Sequence, residues 1–235
     1  MNEEQQKHID FLFASDKFKS QKNQDRWVLL EVLPLMKNGY FLDLAAADGM
    51  THNNTYVLEK HFGWSGLCIE PNPVYYCQLL EHRNCDTSPS VVSHRQEMLP
   101  FRVDNGQLGG IVADDTDNNA NIRGQELPNA TIISLPAKTL NQILIEHQAP
   151  AIIDYFSLDV EGSEERIIST LDFDAYQFGC ITIERPTLKV NEILFDQGYR
   201  FVKNFKNDSF YVHPRILEQS NLVCQEFEQV PKKDW

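Results

Sequence analysis

Tyr40-Phe41-Leu42-Asp43-Leu44-Ala45-Ala46-Ala47-Asp48-Gly49 begins a stretch that closes on Gly66-Leu67-Cys68-Ile69-Glu70-Pro71-Asn72. Two apolar strands flank a small-residue loop and a helix-like segment, the outline of a nucleoside-binding β-α-β unit. The second strand ends on Glu70, 21 residues after Gly49. An acid at that distance stands where a ribose diol lies in such units.

The glycines that are missing narrow the ligand. A dinucleotide site uses G-x-G-x-x-G because a pyrophosphate must approach bare backbone at a helix N-terminus. Here Ala45 and Ala47 stand near the first glycine positions and only Gly49 remains. S-adenosylmethionine carries no phosphate but a sulfonium and an ammonium, which suit a small-residue loop flanked by Asp43 and Asp48. The loop therefore favours S-adenosylmethionine over NAD.

Composition sets outer limits. A chain of 235 residues with 42% hydrophobic residues is read as one α/β domain with decorations. The net charge of −13 argues against nucleic acid or an anionic membrane surface, since both need a basic stripe. Cys68, Cys77, Cys85, Cys180 and Cys224 are odd in number and never in C-x-x-C spacing, so they read as reduced packing residues and no metal site is expected from them. The polar N-terminus and the lack of a long apolar run make no membrane insertion and a cytoplasmic location the expectation. Oligomeric state is not encoded in any readable pattern.

The chain alternates. Residues 4–15 carry a mixed pattern compatible with a helix, and Gln24 to Leu35 has helical spacing closed by Pro34. Strands are expected at Tyr40 to Ala46 and Ser65 to Glu70, helices at Asn54 to Phe62 and Pro73 to Arg83. Beyond Asn84, strands are expected at Ser90 to Ser93 and Leu99 to Val103. A Gly, Asp and Asn-rich stretch from Asp104 to Asn129 reads as a loop or lid, with Asp114, Asp115 and Asp117 as solvated acids. Further β-α units place strands at Asp154 to Val160 and Cys180 to Glu184, and a terminal hairpin turns at Asn207-Asp208. The domain expectation is an N-terminal helical extension (1–36), a catalytic domain (37–215) and a C-terminal tail (216–235).

Ligands of open parallel sheets collect beyond the carboxyl ends of the strands. Acids stand at or beside four such ends: Asp43, Glu70, Asp159 with Glu161, and Glu184. Glu70 is expected to accept hydrogen bonds from both ribose hydroxyls. Asp43 either orients the loop or the cofactor's ammonium, or pairs with the N-terminus of the following helix. Ser93 is either a partner for the adenine edge or a turn serine. Asp159 and Glu161 face the reaction centre, where a carboxylate can take a hydroxyl proton; the alternative is that Glu161 to Glu164 only start a helix. His52 follows the loop and is the histidine placed to meet ligand, and the other six lack ligand spacing.

These residues also carry a resemblance. Ser20-Gln21, Gln24-Asp25, the Gly39 to Asp43 strand, Asn54-Thr55, Gly63-Trp64-Ser65-Gly66 and Glu70-Pro71-Asn72-Pro73 resemble the FkbM-type S-adenosylmethionine-dependent methyltransferases, as do Leu158-Asp159-Val160-Glu161-Gly162-Ser163-Glu164 and Ile181-Thr182-Ile183-Glu184. The resemblance implies a class I methyltransferase (Rossmann-like) fold, α/β and doubly wound, with a mostly parallel seven-stranded sheet and a C-terminal antiparallel hairpin. It implies S-adenosylmethionine as donor and O-methylation of a hydroxyl on a carbohydrate, glycolipid or polyketide-like metabolite, so the partner is a small-molecule or glycan acceptor. Asp43, Ala45, Ala46, Asp48, Gly49, Asn54, Glu70, Pro71, Asn72, Ser93 and Asp159 are then the cofactor residues, and Asp159 and Glu161 the catalytic ones. Ala45 departs from the family's usual glycine. A non-catalytic S-adenosylmethionine or S-adenosylhomocysteine binder on the same scaffold is the competing expectation.

Overall fold

In a computed structural model of the chain, residues 3–15 and 17–231 are described. The helices are α1 Glu3–Ala14, α2 Gln24–Trp27, α3 Tyr56–Phe62, α4 Pro73–His82, α5 Ala120–Arg123, α6 Leu140–Glu146, α7 Glu164–Ile168, α8 Leu188–Asp196 and α9 Pro214–Leu217. The strands are β1 Tyr40–Leu44, β2 Ser65–Ile69, β3 Asp86–Ser88, β4 Val91–Val92, β5 Glu97–Arg102, β6 Gly110–Ile111, β7 Ile132–Lys138, β8 Ile152–Leu158, β9 Gln177–Glu184, β10 Arg200–Phe205 and β11 Asp208–Val212.

Seven strands form one sheet in the order β10-β11-β9-β8-β1-β2-β3. The pairs β1-β2, β2-β3, β1-β8 and β8-β9 are parallel, while β11 runs antiparallel to both β9 and β10. This is a doubly wound, mostly parallel seven-stranded sheet with an antiparallel terminal hairpin, the arrangement that the resemblance implied. The chain builds outward from β1 to β3, then returns to lay β8 on the other side of β1, so the switch point lies between β1 and β8.

Alternation along the strands explains why both faces are covered. Leu42, Leu44, Leu67, Ile69 and Phe156 point into one core with Ile143 of α6, Ile167 of α7 and Leu194 of α8. Phe41, Cys68, Tyr155 and Cys180 point into the other with Trp27 of α2, Leu58 of α3 and Leu79 of α4. The expected helix from Gln24 to Leu35 tightens only as far as Trp27 and then widens to a π-helical turn over Val28–Val32. Among the described residues no helix is long and apolar enough to cross a membrane.

The second sheet, in the order β4-β7-β5-β6, is where the sequence reading fell short. β3, β6 and β7 were not expected. Pro136 argues against a strand at β7, because proline in a run demotes it; here Met98 pairs with Pro136 and Pro100 with Ser134. Residues 104–129 are likewise no plain loop. They hold β6, α5 and 3-10 turns at Gly106–Leu108 and Leu127–Asn129, with Thr116 and Asn118 buried. Polar side chains supply the order: Thr116 Oγ1 donates to the Ile111 carbonyl at 2.6 Å, and Asn119 Oδ1 accepts from the amides of Asn121 and Ile122.

Candidate active site

The carboxyl ends of β1, β2, β8 and β9 open into two clefts that share Leu44, Ala45, Ala47 and Gln107. One, of about 590 Å³, is walled by Ile69, Glu70, Val91, Val92, Phe101 and Ile111. The other, of about 720 Å³, is polar and holds Asn54, Asp159, Glu161 and Glu184 with Lys22 and His52. The second sheet positions the apolar wall of the first cleft through β4, β5 and β6.

Glu70 stands at the end of β2, where parallel pairing with β1 and β3 delivers it to the rim. Its Oε2 accepts from the Ala47 amide at 2.9 Å and its Oε1 from the Asn72 amide at 2.7 Å. Each oxygen keeps a lone pair, so a diol can still donate to both. Burial pushes the carboxyl up to about 7, against the two backbone bonds. Asn72 spends its side chain elsewhere: Oδ1 caps α4 at the Val74 amide and Nδ2 donates to the Val103 carbonyl.

Asp43 turns out to be a builder of the loop. Its Oδ2 accepts from Asn53 Nδ2 at 2.9 Å and Thr55 Oγ1 at 2.7 Å, which fixes the turn ahead of α3. Burial raises its pKa, opposed mainly by Arg83. Arg83, which no sequence pattern singled out, is the hub beneath this loop. Its guanidinium reaches Glu59 Oε2 at 2.5 Å, the Gly49 carbonyl at 3.2 Å, Asn53 Oδ1 at 3.0 Å and Thr55 Oγ1 at 3.0 Å. Gly49 has φ +76°, and a Cβ there would lie 2.7 Å from Arg83 Cγ, so only glycine fits.

In the polar cleft, one carboxylate oxygen each from Asp159, Glu161 and Glu184 lies within 4.8 Å of the others. Burial, then the charges of Glu184, Asp208 and Glu161, push Asp159 well above the carboxylate range. Glu184 moves the other way, since Arg185 and Lys22 outweigh its burial. Asp159 is thus biased toward its protonated form and Glu184 toward its ionised form. Burial and then Glu184 push Glu161 up to about 7, against Arg123 and Arg185.

Cations hold this cluster together. Lys22 Nζ lies 3.2 Å from Glu184 and 2.9 Å from Asp208, Arg185 Nη2 lies 2.7 Å from Glu184, and Arg123 Nη2 lies 3.0 Å from Glu161. Arg185 also pairs with Asp117. Asp117 is thus a buried ion-pair member, which corrects the expectation of a solvated acid there, while Asp115 stays exposed and pairs with Arg166. Gly162, at φ +91°, lets the Asp117 amide reach the Glu161 carbonyl at 3.0 Å, for a Cβ would come within 2.8 Å of that nitrogen.

The N-terminal pattern that sequence reasoning left without a role acquires one. Asp25 is buried and ties Lys19, Ser20 and Arg26 into a tight turn through their amides. The turn delivers Gln24 Nε2 to Asp208 Oδ2 at 2.6 Å and Lys22 to its two acids. Gln21 Nε2 lies 3.4 Å from His52 Nδ1, and Gln107 Oε1 lies 3.3 Å from that same ring nitrogen, so three segments meet over the polar cleft.

Of the expected cofactor residues, Ala45, Ala46, Asn54, Glu70, Pro71, Asn72 and Asp159 line one cleft or the other, as do Asp43 and Glu161. Three do not. Asp48 spends its carboxylate on the amides of Met50 and Thr51 and on the Thr51 hydroxyl. Gly49 sits beneath the loop against Arg83. Ser93 is fully buried with its hydroxyl 3.3 Å from His94 Nδ1, and Ser90, Val91 and Val92 line the cleft in its place. Among the described residues two buried side-chain oxygens lack any partner: Asn54 Oδ1, whose Nδ2 donates to Ser157 Oγ at 2.9 Å, and Ser163 Oγ.

The sequence profile described as the methyltransferase FkbM domain matches residues 43–201. Among solved structures, methyltransferase FkbM from Methylobacillus flagellatus KT aligns at TM-score 0.47 and 10% identity, covering 75% of this chain and 44% of that one. Precorrin-6y C5,15-methyltransferase from Geobacter metallireducens GS-15 aligns at TM-score 0.41 and 16% identity, covering 84% of this chain and 93% of that one. The chain thus spans less than half the length of the Methylobacillus protein. No curated protein matches it.

Proposed function

The chain belongs to the FkbM methyltransferase family, and from that premise we propose that it moves the methyl group of S-adenosylmethionine to a hydroxyl of a carbohydrate, glycolipid or polyketide-like acceptor. The observation that carries the reading is the meeting of two unlike clefts on the Ala45 to Ala47 loop: an apolar one ending at Glu70 and a polar one ending at Asp159. The residues fit the donor. Glu70 keeps one lone pair per oxygen for a sugar diol, apolar side chains of β4, β5 and β6 suit a purine, and the unpartnered Asn54 Oδ1 suits an ammonium.

When bound, S-adenosylmethionine supplies an electrophilic methyl on sulfur. What this chain adds is position and proton handling. Ala45 and Ala47 leave the passage between the clefts open, and the polar cleft orients an acceptor hydroxyl. The Asp159–Glu184 pair, once it has released its shared proton, is a base strong enough to take the hydroxyl proton as the carbon–oxygen bond forms. Lys22 and Arg185 keep Glu184 ionised during that exchange. Glu161 flanks the pair and is held by Arg123. In this reading residues 1–36 are an extension that contributes Lys22 and Gln24 to the catalytic domain of 37–215, with 216–235 as its tail.

The test is transfer of labelled methyl from S-adenosylmethionine to a panel of sugar and polyketide-like hydroxyl acceptors. Transfer lost in Asp159→Asn is expected. Calorimetry showing no binding of S-adenosylmethionine or S-adenosylhomocysteine overturns the reading, and binding without transfer to any acceptor supports the non-catalytic alternative.

A further inference from the structure

Ser163 offers a buried hydroxyl that the fold leaves unused. It is 1% exposed, its Oγ has no hydrogen-bond partner, and it lines the apolar cleft beside Val160. It directly precedes α7, the place where a serine normally caps the helix, yet it makes no capping bond. The loop is closed without it, because Glu164 Oε1 accepts from the Val160 amide at 3.0 Å. A buried hydroxyl without a partner costs free energy, so such groups are rare outside functional sites.

The other polar side chains of the cleft narrow what this hydroxyl meets. Asn72 is spent on Val74 and Val103, Gln107 on Thr51 and His52, and Ser90 accepts from Ser88 at 3.1 Å. Glu70 faces the sugar position. Ser163 is the hydroxyl of this cleft that is fully buried with no partner, set among the apolar side chains that suit a purine.

Resting on the S-adenosylmethionine reading above, we propose that Ser163 is a cofactor-recognition residue whose hydroxyl bonds an edge atom of the adenine base. The bond completes on binding. A serine has a single side-chain torsion to its oxygen, so bringing that oxygen onto the base requires no backbone movement. Part of the cofactor's affinity then comes from relieving a cost the empty protein carries.

The test compares wild type with Ser163→Ala, measuring the thermal midpoint of the free protein and the calorimetric Kd for S-adenosylhomocysteine and for its analogues lacking one purine ring nitrogen or the 6-amino group. Expected are an unchanged or higher midpoint in the variant and a roughly fivefold to tenfold weaker Kd for the parent ligand. One analogue should bind wild type more weakly yet lose nothing further in Ser163→Ala, which identifies the bonded atom. Equal Kd values in both proteins overturn the proposal while leaving the S-adenosylmethionine reading intact. A midpoint lowered by several degrees also overturns it, since the hydroxyl would then have a partner in the free protein. Failure of wild type to bind S-adenosylhomocysteine removes both.

Discussion

Arg83 Nη1 donates to Asn53 Oδ1 at 3.0 Å, joining the residue after α4 to the turn before α3. The same guanidinium reaches Glu59, and neither side chain has water to fall back on: the two are 0% and 8% exposed. Burial opposes Glu59's charge, but Arg83 outweighs it and holds the carboxyl down at about 2. The loop that separates the two clefts therefore hangs from one buried cation.

Replacing that cation should loosen the site and the fold together. Arg83→Met leaves the Glu59 carboxylate with Lys60, 2.9 Å from Oε1, in place of its buried partner, and removing one partner of a buried pair costs up to about 3–5 kcal/mol. Urea unfolding should show a loss of that order, with S-adenosylhomocysteine affinity falling as well. The double variant Arg83→Met/Glu59→Gln should recover part of the stability, because Glu59 then carries no charge into the buried site. A loss below about 1 kcal/mol in the single variant would contradict the hub.

Glu70 predicts a pH dependence of binding. A diol donates to the carboxylate better than to the acid, and the carboxyl titrates at about 7. Ligand binding favours the ionised form, so affinity for S-adenosylhomocysteine should rise about tenfold between pH 6 and 8. Glu70→Gln should bind more weakly at pH 8 and show a flat profile. A wild-type Kd independent of pH over that range would remove the assignment.

The parallel β-α units, the terminal hairpin and the acids at four strand ends were legible in the sequence because they follow from alternation and spacing along contiguous residues. What was not legible depends on contacts between distant segments. Arg83 reads as an ordinary helix-end arginine, and only its 0% exposure reveals the hub. Lys22 meets Glu184 across 162 positions of chain. Asp117 looks like one of several solvated loop acids until Arg185 is brought to it. Of the second sheet β4 and β5 were legible, but β6 is only two residues long and Pro136 interrupts the β7 pattern where packing, not propensity, decides.

Ala45 shows where a departure from a family pattern has a physical reading. Its φ is +63°, the left-handed region in which a Cβ costs about 1–2 kcal/mol and glycine nothing. The alanine occupies a position built for glycine. Ala45→Gly trades that strain for greater freedom of the unfolded chain, so thermal unfolding should show stability unchanged or raised by up to about 1 kcal/mol. S-adenosylhomocysteine should bind the variant at least as well, since both clefts gain room. A destabilisation above about 1 kcal/mol would mean that the Ala45 methyl makes packing contacts worth more than its strain.

The buried carboxyls also fix how the free protein responds to pH, and the sign is the reverse of the usual ion-paired acid. Glu164 is pushed up to about 8, Glu70 and Glu161 to about 7, burial being the first cause in each case. Folded, these groups hold protons that they release near 4.5 when unfolded, so between pH 4.5 and 8 the native state binds more protons. Stability contributed this way is fully present below the unfolded value and is lost as pH rises through the folded one. Glu59, Asp48 and Glu184 are shifted downward, and their contribution changes only below about 4.5, outside the window. The stability of the ligand-free protein should therefore fall from pH 5.5 to pH 8, by at most about 1.4 kcal/mol per pH unit for each group, and its thermal midpoint with it. Glu164→Gln keeps an oxygen for the Val160 amide and removes the titration, so its midpoint should fall less steeply than wild type; parallel profiles would show that Glu164 is ionised in the folded protein.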